Sequence, residues 1–202
     1  MATTRLIVLA KAPVAGFAKT RLVPALGAAG AARLARRLLD ETMAQARAAG
    51  LGEVELCCAP DTAHPAFAAQ QLRGGVQLSV QGSGDLGARM DRAATRALAV
   101  SARVVLIGTD APQLDAAYLR AASAALATCD AVLGPAVDGG YTLIGLRRPA
   151  PRLFEQMPWS TDRVLTLTRE RLAEAGLRWI ELAPLRDVDE ADDLVHLPPG
   201  WL

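Results

Sequence analysis

The sequence predicts an α/β protein: a mostly parallel, doubly wound sheet with one antiparallel strand, covered by helices on both faces as a three-layer α/β/α sandwich. Two observations carry this expectation. Short runs of apolar, largely β-branched residues alternate with amphipathic helical stretches from the N-terminus to about residue 135, the rhythm of parallel β-α-β units. After that point the rhythm changes. Asp138–Gly139–Gly140–Tyr141 leads straight into the apolar run Thr142 to Leu146, so a short turn delivers a strand antiparallel to its neighbours.

Each element has its own signals. Arg5 to Ala10 is the first buried strand, and Lys11 to Leu22 is a loop with three cations, a proline and a glycine. From about Ala28 to Ala49, Leu34, Leu38 and Met43 recur at helical spacing among charged residues, and Gly50 closes the helix. Val54 to Ala59 and Val76 to Val80 are strands separated by a short helix at His64 to Leu72. Gln81 to Gly87 is a glycine-rich loop opening onto a helix that runs to roughly Val100. Val104 to Ile107 reads as a strand buried on both faces, ended by Gly108, with Asp110 and Pro112 just beyond. A helix over Asp115 to Ala127, a strand from Ala131 to Pro135, a Ser160-capped helix to Ala175 and a last strand over Arg178 to Leu182 complete the chain. No repeat or low-complexity linker divides residues 1–202, which are expected to form a single domain.

Bulk properties exclude several classes. With a formal net charge of +1, no overall field draws the chain to nucleic acid or to an anionic membrane. The apolar run near the N-terminus is too short for a signal core or a membrane span. Cys57, Cys58 and Cys129 lack metal-site or disulfide spacing and read as core residues of a cytoplasmic protein. His64 and His196 sit in surface contexts, and no Gly-x-Ser-x-Gly elbow is present, so a Ser/His hydrolase or a His-ligated metalloenzyme is disfavoured.

Five stretches could carry chemistry. In open α/β sheets, ligands sit outside the carboxyl ends of the strands. Asp110, delivered there by a rigid strand, either holds a hard cation beside a phosphate or caps the next helix. The loop bearing Lys11, Lys19 and Arg21 either neutralises a polyphosphate, with Gly16 allowing close backbone approach, or is simply solvated. The loop with Gly82, Gly84 and Asp85 either cradles a base or ribose or is an ordinary turn. Asp138, Gly139, Gly140 and Tyr141 either leave room for a substrate or form a plain hairpin. Asp187 and Asp189, two apart after the last strand, are either a solvated acidic run or return to the Asp110 edge.

The colinear set Lys11–Ala12–Pro13, Ala18–Lys19–Thr20–Arg21–Leu22, Gly108–Thr109–Asp110–Ala111–Pro112, Asp138 to Leu146, Pro158–Trp159–Ser160–Thr161 and Asp187–Val188–Asp189 resembles a bacterial family of small GT-A-superfamily proteins. These are described as glycosyltransferases and include an arsenosugar- or selenium-associated group. The set is similar, more distantly, to 2-phospho-lactate and molybdenum-cofactor guanylyltransferases. The resemblance implies a Rossmann-like GT-A (nucleotide-diphospho-sugar transferase type) fold, with residues 1–135 binding nucleotide and residues 136–202 forming the acceptor side and a metal-binding end. It implies phosphate binding by Lys11, Lys19 and Arg21, and Mg²⁺ (or Mn²⁺) ligated by Asp110 and Asp189. Acceptor contacts would come from Gly139, Gly140, Tyr141, Trp159, Ser160 and Thr161. Two departures stand out: Glu190–Ala191 replaces the guanylyltransferases' Thr-Pro, and Gly139–Gly140–Tyr141–Thr142 replaces their Gly-Gly-Thr-Asn.

The preferred expectation is glycosyl transfer from a nucleotide sugar to a small-molecule acceptor, with Asp138, or a carboxylate near it, as general base. The alternatives are nucleotidylyl transfer from a nucleoside triphosphate to a phosphorylated acceptor with pyrophosphate release, and nucleotide binding without catalysis. Neither a nucleic acid nor a membrane partner is expected, and a homodimer is allowed.

Overall fold

A computed structural model describes residues 3–201. Seven strands form one sheet: β1 (Thr4–Lys11), β2 (Val54–Ala59), β3 (Val76–Val80), β4 (Arg103–Ile107), β5 (Ala131–Pro135), β6 (Tyr141–Leu146) and β7 (Trp179–Glu181). Their spatial order is β3-β2-β1-β4-β6-β5-β7. β3, β2, β1 and β4 run parallel, and β5 and β7 are parallel to each other. β6 lies antiparallel between β4 and β5, as the abrupt turn before Tyr141 predicts.

The helices are α1 (Val23–Ala49), α2 (Pro65–Leu72), α3 (Leu86–Leu98), α4 (Ala116–Ala125) and α5 (Val164–Glu174). Alternation along each strand distributes side chains to opposite faces. Leu6 and Val8 of β1 and Val105 and Ile107 of β4 meet Leu39 and Met43 of α1, Phe67 of α2 and Leu119 of α4. Ile7, Val104 and Leu106 point the other way, onto Met90 and Ala94 of α3 and Leu165 and Leu172 of α5. These two cores make the three-layer sandwich that the sequence predicts. A third, smaller cluster packs Leu22, Leu34 and Leu38 against Val188 of the C-terminal segment.

Local chemistry sets most element ends. Asp85 and Asp115 cap α3 and α4 by accepting from Ala88 N at 2.8 Å and Tyr118 N at 2.7 Å. The left-handed Gly50 ends α1. His64, expected as a plain surface residue, caps α2 through Nδ1, which accepts from Ala66 N at 3.1 Å. Two expectations need correction. α1 begins at Val23, a turn earlier than the hydrophobic pattern suggests, and bends where Gly27 leaves helical geometry. Ser160 caps nothing: its φ is 64°, and α5 begins only at Val164. The intervening bend is held by Thr161 Oγ1, which donates to Pro158 O at 2.7 Å. Among the described residues, no helix is long and apolar enough to cross a membrane.

Candidate active site

The chain leaves β1 toward β2 and β3 on one side, then crosses to β4 on the other. The carboxyl ends of β1 and β4 therefore flank the crevice where such sheets bind ligands. Lys11 ends β1, and the loop after it carries Lys19 in a left-handed backbone conformation (φ 52°). Buried Ala18 and Leu22 fasten that loop on either side of Lys19. From β4 the chain turns at Gly108 and presents Asp110.

The C-terminal segment returns to this edge. Val188, fully buried, donates its N–H to Asp110 O at 2.8 Å. Lys19 Nζ then donates to Val188 O at 2.6 Å, to Asp189 Oδ1 at 2.8 Å and to Asp110 Oδ1 at 2.5 Å. The Lys19 side chain is only 7% exposed, whereas those of Asp110 and Asp189 are 44% and 42% exposed. Burial alone would pull the Lys19 pKa down, but the charges of Asp110 and Asp189 and their hydrogen bonds hold it above the ordinary lysine value.

Two further carboxylates border the same cavity. Asp138 Oδ1 accepts from Gly140 N at 2.9 Å, fixing the turn into β6. Asp187 is pushed up to about 6, first by burial and then by the negative charges of Asp138, Asp189 and Asp110. The cavity, about 680 Å³, thus sets Lys11, Lys19 and Arg21 against Asp110, Asp138, Asp187 and Asp189. A smaller chamber of about 410 Å³ opens beside it. Asp138, Asp162, Asp187, Asp189, Glu190, Asp192 and Asp193 outnumber Arg21 and Arg186 on its walls.

At the other end lies the glycine-rich loop. Buried Gln81 anchors its start, donating from Nε2 to Ala10 O at 3.2 Å and to Cys57 O at 3.0 Å. Arg92 donates to Gln81 O at 2.5 Å and Ser83 O at 3.0 Å, and Arg89 Nε donates to Gly84 O at 3.0 Å. Two guanidinium groups therefore hold the loop by its carbonyls. Tyr141 and Trp159 meet edge-to-face at 6.3 Å and form the aromatic wall of the cavity with Leu86 and Met90.

Most sequence-predicted site residues converge here. Lys11, Lys19, Arg21, Gly84, Asp85, Asp110, Asp138 and Asp189 border the main cavity, as do Gly140, Tyr141, Trp159, Ser160 and Thr161. Gly16 and Gly82 do not border it, and neither does Gly139. Gly139, at φ 91°, lies so close to the Asp162 backbone that a Cβ would overlap it, so its place is a packing requirement. The Asp85 carboxylate is engaged as the α3 cap.

Among the described residues, no group of three or more His, Cys, Asp or Glu is arranged to hold a metal. Asp110 and Asp189 nevertheless offer oxygen ligands to one shared cation, here the Lys19 ammonium. Two carboxylates completed by phosphate oxygens and water are a donor set that suits Mg²⁺ or Mn²⁺. Arg89, Arg92 and Val188 are the residues that sequence reasoning passed over. The only signals were arginines at helical spacing after a glycine loop, and one apolar residue between two aspartates.

Fold and cleft define a class: an α/β sandwich of the nucleotide-diphospho-sugar transferase type, with its ligand crevice lined by a basic loop and acidic side chains. The chain belongs to the bacterial family DUF2064, described as an uncharacterized protein conserved in bacteria, whose profile matches residues 42–161. No curated protein matches the sequence. A candidate nucleotide-diphospho-sugar transferase from Desulfovibrio desulfuricans G20 is 32% identical with a TM-score of 0.85, over 94% of this chain and 84% of that one. CMP:2-keto-3-deoxy-manno-octonic acid synthetase complexed with CTP is 12% identical with a TM-score of 0.60, over 96% of each chain. Glucosyl-3-phosphoglycerate synthase from Mycobacterium tuberculosis, in complex with Mn²⁺, UDP and glucosyl-3-phosphoglycerate, is 10% identical. That alignment covers 96% of this chain and 75% of the synthase, with a TM-score of 0.58. At those identities the last two share the fold; both glycosyl and nucleotidyl transferases use it.

Proposed function

We propose that this chain is a cytoplasmic, divalent-metal-dependent transferase that moves a glycosyl group from a nucleotide sugar to a small hydroxyl-bearing acceptor. The observation that carries the reading is one cavity at the sheet's carboxyl edge, where the Lys11–Lys19–Arg21 loop faces Asp110, Asp138, Asp187 and Asp189. The cationic loop binds the diphosphate, with the Arg21 fork suited to two of its oxygens. Asp110 and Asp189 would hold Mg²⁺ or Mn²⁺, which supplies charge stabilisation to the departing nucleoside diphosphate. The loop from Gln81 to Gly84, held by Arg89 and Arg92, receives the nucleoside.

The acceptor enters on the acidic side. Asp138, fixed by the Gly140 N–H, supplies the base for its hydroxyl, with Asp187 beside it on the cavity wall. The excess of carboxylates on the smaller chamber repels a phosphorylated acceptor, which favours glycosyl over nucleotidylyl transfer. One observation favours the second reading. Lys11, Lys19 and Arg21 stand together at the cavity wall, as a leaving pyrophosphate would require.

Incubation with nucleotide sugars or nucleoside triphosphates in the presence of Mn²⁺ separates the two. Release of nucleoside diphosphate from a sugar nucleotide is the expected result. Pyrophosphate release from a triphosphate overturns glycosyl transfer, and tight nucleotide binding with no turnover of either donor class overturns catalysis.

A further inference from the structure

All three N–H bonds of the Lys19 ammonium are committed, to Val188 O, Asp189 Oδ1 and Asp110 Oδ1. In this state the amine has no donor left for a phosphate, and the two carboxylates already share a cation. The backbone supplies a second, independent observation. Lys19 sits at φ 52°, a left-handed conformation unfavourable for a residue other than glycine. Such strain persists where the surroundings over-determine it, and it gathers at functional sites. The fold therefore accepts both strain and burial to seat one positive charge between these two acids.

A divalent ion held by the same two carboxylates would compete with the ammonium for their oxygens. The two cations exclude each other sterically and by charge. We propose that Lys19 is a tethered stand-in for the divalent ion, withdrawn only when the phosphates of a nucleotide arrive to take up its ammonium. Metal and nucleotide then bind as a pair, each strengthening the other by the same factor, as linkage requires. A free divalent ion binds the nucleotide-free cleft only weakly, and the metal site is completed around a donor substrate. This rests on the reading that the cleft takes a nucleotide with a metal.

The charges agree with this order. Asp110, Asp189 and Lys19 together carry one net negative charge. Adding a divalent ion with the ammonium still in place would leave the three side chains and the ion net positive. A diphosphate restores the balance and gives the ammonium new acceptors.

The test is Mn²⁺ binding, read from the EPR signal of the free ion, for the intact chain and for Lys19→Met. Without nucleotide, Lys19→Met should bind Mn²⁺ about tenfold more tightly or better, because a positive charge leaves the ion's own position. Adding UDP or CTP should tighten Mn²⁺ binding to the intact chain and should help the variant far less. Lys19→Gly, which removes the ammonium and relieves the positive φ, gives the same reading should the methionine variant not fold. Equal Mn²⁺ affinities without nucleotide overturn the inference. A tenfold gap for Mn²⁺ alone, in a chain that binds neither UDP nor CTP, keeps the exclusion of metal by Lys19 and sinks the transferase reading instead.

Discussion

Val188 donates its backbone N–H to the carbonyl of Asp110 at 2.8 Å, tying the C-terminal segment to the loop that follows β4. The Val188 side chain is buried with Leu22, Leu34 and Leu38. One residue thus positions both carboxylates of the pair, Asp110 through its main chain and Asp189 by adjacency.

Replacing that side chain separates scaffold from site. Val188→Ala is expected to cost about 1.5–3 kcal/mol, the value of burying a valine. Beyond that loss, which the melting temperature reports, it should weaken nucleotide binding by freeing the segment that carries Asp187 and Asp189. Calorimetric titration with a nucleotide sugar and Mn²⁺ checks the second effect.

Asp110→Asn takes one of its two carboxylates from the buried Lys19 ammonium, so stability should fall by about 1–3 kcal/mol. Transfer activity should fall by about a hundredfold or more, the scale of losing an electrostatic contact in the transition state. A variant that keeps full turnover would remove Asp110 from the site.

The double variant Arg89→Ala, Arg92→Ala leaves the carbonyls of Gln81, Ser83 and Gly84 without their guanidinium donors. Hydrogen exchange at the amides of residues 82–84 should speed up while α3 stays protected, and donor affinity should weaken. Unchanged exchange would show that the loop holds itself.

Outside the cavity lining, Arg169 and Glu181 form a two-pronged ion pair at 2.8 and 2.7 Å. The hydrogen bonds from Arg169 hold the Glu181 carboxyl below its usual value. A lowered acid pKa adds stability that is fully present above the unfolded value of 4.5 and is lost as pH falls through the folded one. Glu181→Gln should therefore cost something under about 1 kcal/mol at pH 7, given the partial exposure of both groups, and less at pH 3. Urea titrations at the two pH values measure the difference.

Cys57, Cys58 and Cys129 are all buried, and burial pushes Cys58 up to about 12. A thiol-specific reagent should label the native chain slowly at pH 8 and all three cysteines at once in urea. Rapid labelling without denaturant would mean that the core opens.

How much of this was legible in the sequence depends on the range of the interactions. β4 and β6 are written locally, in Val104 to Ile107 and in the turn before Tyr141, and both appear where expected. The meeting of Asp110 with the acidic C-terminal segment was open in the residues and implied by the resemblance. What no pattern disclosed was the partner they share, because the Lys19–Asp189 contact spans 170 positions of the chain. Ser160 fails in the opposite way. Its preference for helix caps is local, but Gly139 packs on the Asp162 backbone and Leu165 N donates to Gly139 O at 2.8 Å, which sets α5 further along. Tertiary packing overrode a short-range propensity there.

The return of the C-terminal segment onto the β4 edge has a consequence for how the molecule comes into being. The strand pairs β1–β2, β2–β3 and β1–β4 need nothing beyond Ile107, so half the sheet can assemble before Val188 exists. The acidic half of the cleft arrives last. The cleft is therefore complete only when that segment is seated, and local fraying of it would open the acidic side while the layers beneath stay intact.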